Sequence, residues 1–200
     1  MWVLKIGGSW ITNPNLRTLL KRLEKKKRGK IIIVAGGGCF ADSVRFAYKK
    51  TRMSEKIANG LALKSTEIFS SYMKDINKNL YLTSNKRFKK NSINVWLPSM
   101  ILSKERSFKK NWNSTSDSIA AWLSTNIKAE GIVFVKSLKK FKKINKLGVL
   151  QKKNIIDKNV STYLKSFKGE IKITGISILK ILEKNNNWDS CIEDFGDLEL

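Results

Sequence analysis

Short unbroken apolar runs alternate along this chain with stretches whose apolar residues recur every three or four positions. The runs at 2–6, 31–34, 132–135 and 171–174 read as strands buried on both faces, as in a parallel sheet. Shorter strand candidates lie at 80–82 and 94–97. Between them, Leu16, Leu19, Leu20 and Leu23 share one helical face. Asn13-Pro14 reads as an N-cap with proline at the first helical position, and Gly29 as the stop. Phe40, Val44 and Tyr48 make a second helical stripe. Ser54 caps a long helix that carries Ile57, Leu61, Ile68 and Tyr72 on one face. Thr115-Ser116-Asp117 precedes a helix with Ile119, Ala120 and Leu123 inward, and 176–182 reads as a short helix. The lysine-rich stretch 138–153 gives no clear element. The tail from Asn185 turns acidic and reads as a partly ordered end. Strands alternating with helices predict βαβ units, hence an α/β fold around a mostly parallel sheet. No internal repeat or boundary divides the 200 residues, so one domain is expected over 1–200.

Composition changes the picture in three ways. Lys+Arg 40 against Asp+Glu 16 gives a formal charge of +24. Such a surface draws in anions, and nucleic acid is the first partner it suggests. However, the basic residues are scattered, in 25–28, 86–90, 104–110 and 139–146, and arginine, the better reader of base edges, is scarce. With Asn and Ile also plentiful, the balance favours a lysine-rich genome composition over nucleic-acid binding. No histidine is present, which removes His-based triads and the usual general base. Two cysteines, Cys39 and Cys191, are too few and too far apart for a disulfide framework or zinc site. No run approaches membrane-spanning length and no signal-peptide pattern opens the chain, so a soluble cytoplasmic protein is expected.

The chemistry lies where two strands end in glycines. The first turn is Lys5-Ile6-Gly7-Gly8-Ser9 and the second follows Ala35 as Gly36-Gly37-Gly38. A strand that stops at consecutive glycines before a helix exposes backbone N–H groups that bind anions, with the helix dipole behind them. Two such turns suggest one phosphorylated donor and one acceptor. The first is not a P-loop, in which lysine follows the glycines, and the second lacks the spacing of the dinucleotide fingerprint. Lys5 projects toward the first turn, where it would neutralise charge on a transferring phosphoryl group. Asp117, with Ser116 before it, reads either as an ordinary capping signal or as a carboxylate that holds lysines or orients the acceptor. Lys136-Ser137 ends the 132–135 strand, at the edge where open α/β sheets bind ligands; Lys136 reads equally as a nucleotide contact or a solvated lysine.

Together these pieces resemble the amino acid kinase superfamily, which includes aspartate, glutamate, acetylglutamate and uridylate kinases. The run 112–123 and the strand end at Lys136 are most similar to the subgroup that acts on [5-(aminomethyl)furan-3-yl]methyl phosphate in methanofuran biosynthesis. The resemblance implies a three-layer αβα sandwich, an acceptor-side half over about 1–110 and a shortened nucleotide-side half over about 111–200. It implies transfer of the ATP γ-phosphate with Mg²⁺ to a small anionic acceptor, and a homodimer. Lys5 and Asp117 would be catalytic. Gly7, Gly8, Ser9 and Lys136 would hold donor phosphates, while Gly36, Gly37, Gly38 and Ser116 would face the acceptor and the transferred group. No protein metal ligand is expected. The sequence departs from the pattern in lacking an alignable second catalytic lysine between 136 and 153, and in having Asn59 where the subgroup is expected to have histidine. A uridylate kinase-like enzyme, or a catalytically degenerate binder of nucleotide or nucleic acid, is the alternative reading.

Overall fold

A computed structural model describes residues 1–26, 31–138 and 141–200. In chain order the elements are β1 Trp2–Ile6, a 3₁₀ turn Gly8–Trp10, α1 Leu16–Glu24, β2 Ile31–Ala35, α2 Gly38–Lys50 and α3 Glu55–Ile76. There follow β3 Tyr81–Thr83, β4 Asn94–Trp96, α4 Ser99–Leu102, α5 Ser116–Asn126, β5 Gly131–Val135 and β6 Ile144–Lys146. The chain ends with α6 Leu147–Lys152, α7 Val160–Leu164, β7 Glu170–Thr174, α8 Ile178–Lys184, α9 Trp188–Glu193 and β8 Gly196–Glu199.

Among the described residues, eight strands form one sheet in the order β3-β4-β2-β1-β5-β7-β8-β6. Every pairing is parallel except β7 with β8. The α/β expectation is met. β1 lies between β2 and β5, so the chain leaves it in one direction and later returns on its other side. That is the switch point where such sheets open a crevice at their carboxyl ends.

Side-chain alternation along β1 decides what meets what. Leu4 and Ile6 pack into the core layer with Leu16, Leu19 and Leu20 of α1 and with Trp188 and Phe195 near the C-terminus. Val3 points to the opposite layer, with Ile119, Ala120 and Leu123 of α5. Lys5 shares the parity of Val3 and therefore faces α5.

Several expectations are corrected. α1 begins after Asn15 rather than after Asn13; the Asn13 side chain instead accepts from Asn15 N at 2.9 Å, an Asx turn that precedes the helix. The expected stop at Gly29 lies outside the described residues. α2 buries Ala41, while Phe40 is exposed. In α3, Ser54 accepts from Ile57 N as expected, but Ile57, Leu61, Ile68 and Tyr72 form its exposed face; Ala58, Leu63, Phe69 and Met73 are buried instead. The short C-terminal helix starts at Ile178. The acidic tail is not a loose end. Trp188 and Phe195 are fully buried, and Asp197 of β8 pairs with Lys172 of β7 at 2.6 Å.

The glycine turns make the fold sensitive at single atoms. A Cβ on Gly36 would stand 2.3 Å from Gly8 N, whereas one on Gly60, inside α3, would meet nothing within 4 Å. Gly36→Ala is expected to lose about 3 kcal/mol or more, because backbone must move. Gly60→Ala is expected to gain about 0.5–1 kcal/mol from helix propensity. Urea unfolding of both variants checks the pair.

Candidate active site

The carboxyl rim of the sheet is tied by one repeated bond. Gly36 N donates to Ile6 O at 2.8 Å, Gly7 N to Val135 O at 3.1 Å, and Lys136 N to Thr174 O at 2.9 Å. Each strand's first residue past its end is thereby held level with its neighbour. Gly7 and Gly36 spend their N–H groups on this framework. Beyond them, the 3₁₀ turn and α2 both begin without a side-chain cap. Their first N–H groups are the orphan donors of helix starts.

The two turns press backbone against backbone. A Cβ on Gly8 would lie 2.1 Å from Gly38 N, and Gly38 adopts φ +51°, a conformation that favours glycine. Side chains at these positions would drive the bends apart, so the glycines serve proximity as well as anion access.

Beside the turns lies a buried charge cluster. Lys5, 4 % exposed, places its Nζ 2.9 Å from Oδ1 of Asp117, which is 3 % exposed. Lys136 Nζ lies 2.7 Å from Oδ2 and 2.8 Å from Oδ1 of the same carboxylate. Burial alone would push the Asp117 carboxyl up. The charges and hydrogen bonds of Lys136 and Lys5 outweigh it and hold the group down at about 2. Burial pushes Lys136 down to about 8; Asp117 opposes that shift and the Lys5 charge adds to it.

Asp157 supports the cluster from behind. It accepts from Thr115 N at 2.7 Å, Thr115 Oγ1 and Ser118 N at 3.1 Å, and its own N–H donates to Asp117 at 3.3 Å. It therefore serves the open start of α5, a role the Thr115 hydroxyl does not fill. Burial, and then the nearby Asp117 charge, raise its carboxyl above the usual range.

A cavity of about 210 Å³ opens next to the turns. Gly8, Ser9, Gly37 and Gly38 give it a bare-backbone wall, and Ser116, Thr115 and Trp112 face them from the start of α5. Arg45 lies over the Trp112 ring at 5.3 Å and pairs with Asp42 at 2.6 Å.

The amino acid kinase family pattern matches residues 1–140, more than half of the sequence. The chain belongs to that family. The [5-(aminomethyl)furan-3-yl]methyl phosphate kinase of Methanocaldococcus jannaschii is 30% identical over 129 residues, 62% of this chain and 59% of that relative. The chain thus matches a little over half the length of this curated relative. Two solved structures share the fold. One is uridylate kinase from Archaeoglobus fulgidus, with TM-score 0.67, 15% identity, and 98% and 97% of the two chains covered. The other is isopentenyl phosphate kinase from T. acidophilum, with TM-score 0.60, 17% identity and both chains covered in full.

In this amino acid kinase family member, Lys5, Asp117 and Lys136 come together in one cluster. Gly7 lies beside Lys5, the remaining glycines build the turns, and Ser9 and Ser116 line the cavity. Asp157 was missed, because it follows the lysine-rich stretch that carries no periodicity. Its one sequence cue is an acidic residue in an otherwise basic segment. Among the described residues no group of three or more His, Cys, Asp or Glu side chains is placed to hold a metal ion.

Asp117→Asn would leave two buried ammonium groups facing each other without a counter-charge. It is expected to cost about 3–5 kcal/mol near pH 7. Asp117 is what keeps Lys136 protonated up to about 8, so in the variant Lys136 sheds its proton at lower pH, and the deficit against the parent should shrink as pH rises toward 8 and level off above it. In the parent, the depressed Asp117 pKa adds stability above its ordinary 3.8, which is lost as pH falls toward about 2. Denaturant unfolding across pH measures both.

Proposed function

We propose that this protein is an ATP-dependent phosphotransferase whose acceptor is a small phosphate monoester, of the aminomethylfuran phosphate type. The observation that carries the reading is the Lys5–Asp117–Lys136 cluster set beside two bare-backbone turns. The curated relative's phosphate acceptor and the +24 charge support an anionic substrate.

The step moves the γ-phosphoryl group of ATP onto an oxygen of the acceptor's phosphate. The bond from phosphorus to the β,γ-bridging oxygen breaks, a new P–O bond forms, and ADP and a diphosphate ester leave. A phosphate monoester has its second pKa near 6, so its attacking oxygen is already ionised at neutral pH. No base is required, which fits a chain without histidine. Catalysis reduces to positioning and charge neutralisation. Gly8 and Ser9 are suited to donor phosphates, and Gly37 and Gly38 to the acceptor and transferred group. Lys5 and Lys136 would neutralise the charge that spreads over the transferring oxygens, while Asp117 fixes both ammonium groups. Mg²⁺ fits as a companion of the nucleotide phosphates rather than in a protein cage, and bound there it would screen their charge.

A homodimer through α3 belongs to the same proposal. The exposed Ile57, Leu61, Ile68 and Tyr72 are spaced symmetrically about the middle of the helix. An antiparallel two-fold contact would set Ile57 against the partner subunit's Tyr72 and Leu61 against the partner's Ile68. A reducing cytoplasm belongs to the same proposal, and the free thiols of Cys39 and Cys191 suit it. Among the described residues no helix is long and apolar enough to cross a membrane.

Lys5→Met is expected to lower kcat for γ-phosphoryl transfer by about 10²-fold or more, with a much smaller change in acceptor KM. Release of ADP and ³¹P NMR of the product test it, and unchanged turnover would remove Lys5 from the mechanism. Leu61→Glu should convert the dimer to monomer in analytical ultracentrifugation.

A further inference from the structure

We infer that Asn59 sets acceptor specificity by accepting a hydrogen bond from an ammonium or hydroxyl group on the substrate. The inference deepens the kinase reading above and rests on it. Asn59 sits in the early turns of α3, is 3 % exposed, and lines the cavity beside the glycine turns. Its Nδ2 donates to the Asn111 carbonyl at 3.4 Å. A carbonyl cannot donate, so this contact fixes which way round the amide lies. Oδ1 is left buried with no partner. Buried polar atoms are nearly always paired, so an unpaired one on a residue that lines a cavity points to a partner that arrives with the ligand.

The carbonyl that holds Asn59 is itself held. Asn111 O also accepts from Ser114 N at 3.0 Å, and Asn159 donates to both Asn111 Oδ1 and Ser114 Oγ. Asn59 is thus fastened to the segment that leads into Asp117, so the open acceptor atom and the charge cluster keep a fixed relation. The rest of the lining suits a compact molecule with three parts. The bare backbone of Gly37 and Gly38 suits an anion, Ala41, Leu63 and Ile119 offer an apolar bed for a small ring, and Asn59 supplies an acceptor for a donor group. The charged side chains of the wall, Asp42 and Arg45, already neutralise each other. Asn59 adds to this wall a buried acceptor without a partner.

The test compares two phosphate monoesters that differ at one group: [5-(aminomethyl)furan-3-yl]methyl phosphate, and the same ester with ethyl in place of aminomethyl. Calorimetric affinity and acceptor KM are measured on the parent and on Asn59→Leu, Asn59→Ala and Asn59→Asp. The parent should prefer the aminomethyl ester by about tenfold or more, because the ethyl ester leaves Oδ1 unpaired. Asn59→Leu should abolish that preference through KM, with an unchanged or raised Tm, since leucine removes an unpaired buried atom. Should the leucine variant not fold, the alanine variant carries the same comparison. Asn59→Asp, which keeps an acceptor oxygen, should keep the preference. Equal affinity of the parent for both esters, with transfer intact, overturns the Asn59 assignment alone. Failure to phosphorylate any phosphate monoester, with no ATP binding, overturns the kinase reading and this inference together.

Discussion

A single buried carboxylate faces two ammonium groups that arrive from adjacent strands, and the neighbourhood of the site is organised around that imbalance. Lys5 comes from β1 and Lys136 from the first position after β5, which pairs with β1 in parallel register. Burying three charges is costly unless each is compensated. Asp117 faces both lysines at once, so among these three groups one positive charge is left over. On the proposed kinase reading, a transferring phosphoryl group would bring negative charge to that surplus. Burial is the main cause that lowers the Lys136 pKa toward the working range, and the Lys5 charge adds to it.

The geometry behind this cluster is simple to break. Lys5 reaches α5 because it alternates in phase with Val3, and a one-residue slip of β1 would turn it into the opposite core layer with Leu4 and Ile6. The register is pinned on both sides of β1, and at the rim by the bonds from Gly36 and Gly7. The contact of Gly8 with Gly38 then fixes how closely the two turns approach. Sheet pairing and turn packing therefore act as one constraint, and the lysines inherit their positions from it.

Elements built from local pattern were legible in the sequence. The central strands, the leucine face of α1, the Ser54 cap and the inward face of α5 all follow from periodicity and capping chemistry. The exposed stripe of α3 shows the limit of that reasoning. Ile57, Leu61, Ile68 and Tyr72 repeat with helical spacing, but α3 packs through Ala58, Leu63, Phe69 and Met73, and apolar spacing alone does not say which face is covered. The tail misled for a related reason. Its acidic residues dominate the pattern, while Trp188, Cys191 and Phe195, which carry its burial, are too few to show a period. In the candidate site, the grouping of Lys5, Asp117 and the glycine turns was legible because they flank strand and helix ends. Asp157 was not, because its partners Thr115 and Ser118 lie about forty residues earlier in the chain and only the fold brings them together.

Asp157 also separates positioning from chemistry in this site. Its side chain spends its hydrogen bonds on the first turn of α5, and its backbone N–H reaches Asp117. Burial and the Asp117 charge raise its own pKa, so it is less ready than Asp117 to hold a full negative charge. The two carboxyl groups also have different partners: Asp117 faces the lysines, and Asp157 faces Thr115 and Ser118. Asp117 remains the ionised member that both ammonium groups contact, and Asp157 holds in place the helix start that carries it. The lysine-rich stretch before Asp157 then has a structural reason to exist despite its lack of pattern: it carries the chain through β6 and α6 so that residue 157 returns to α5.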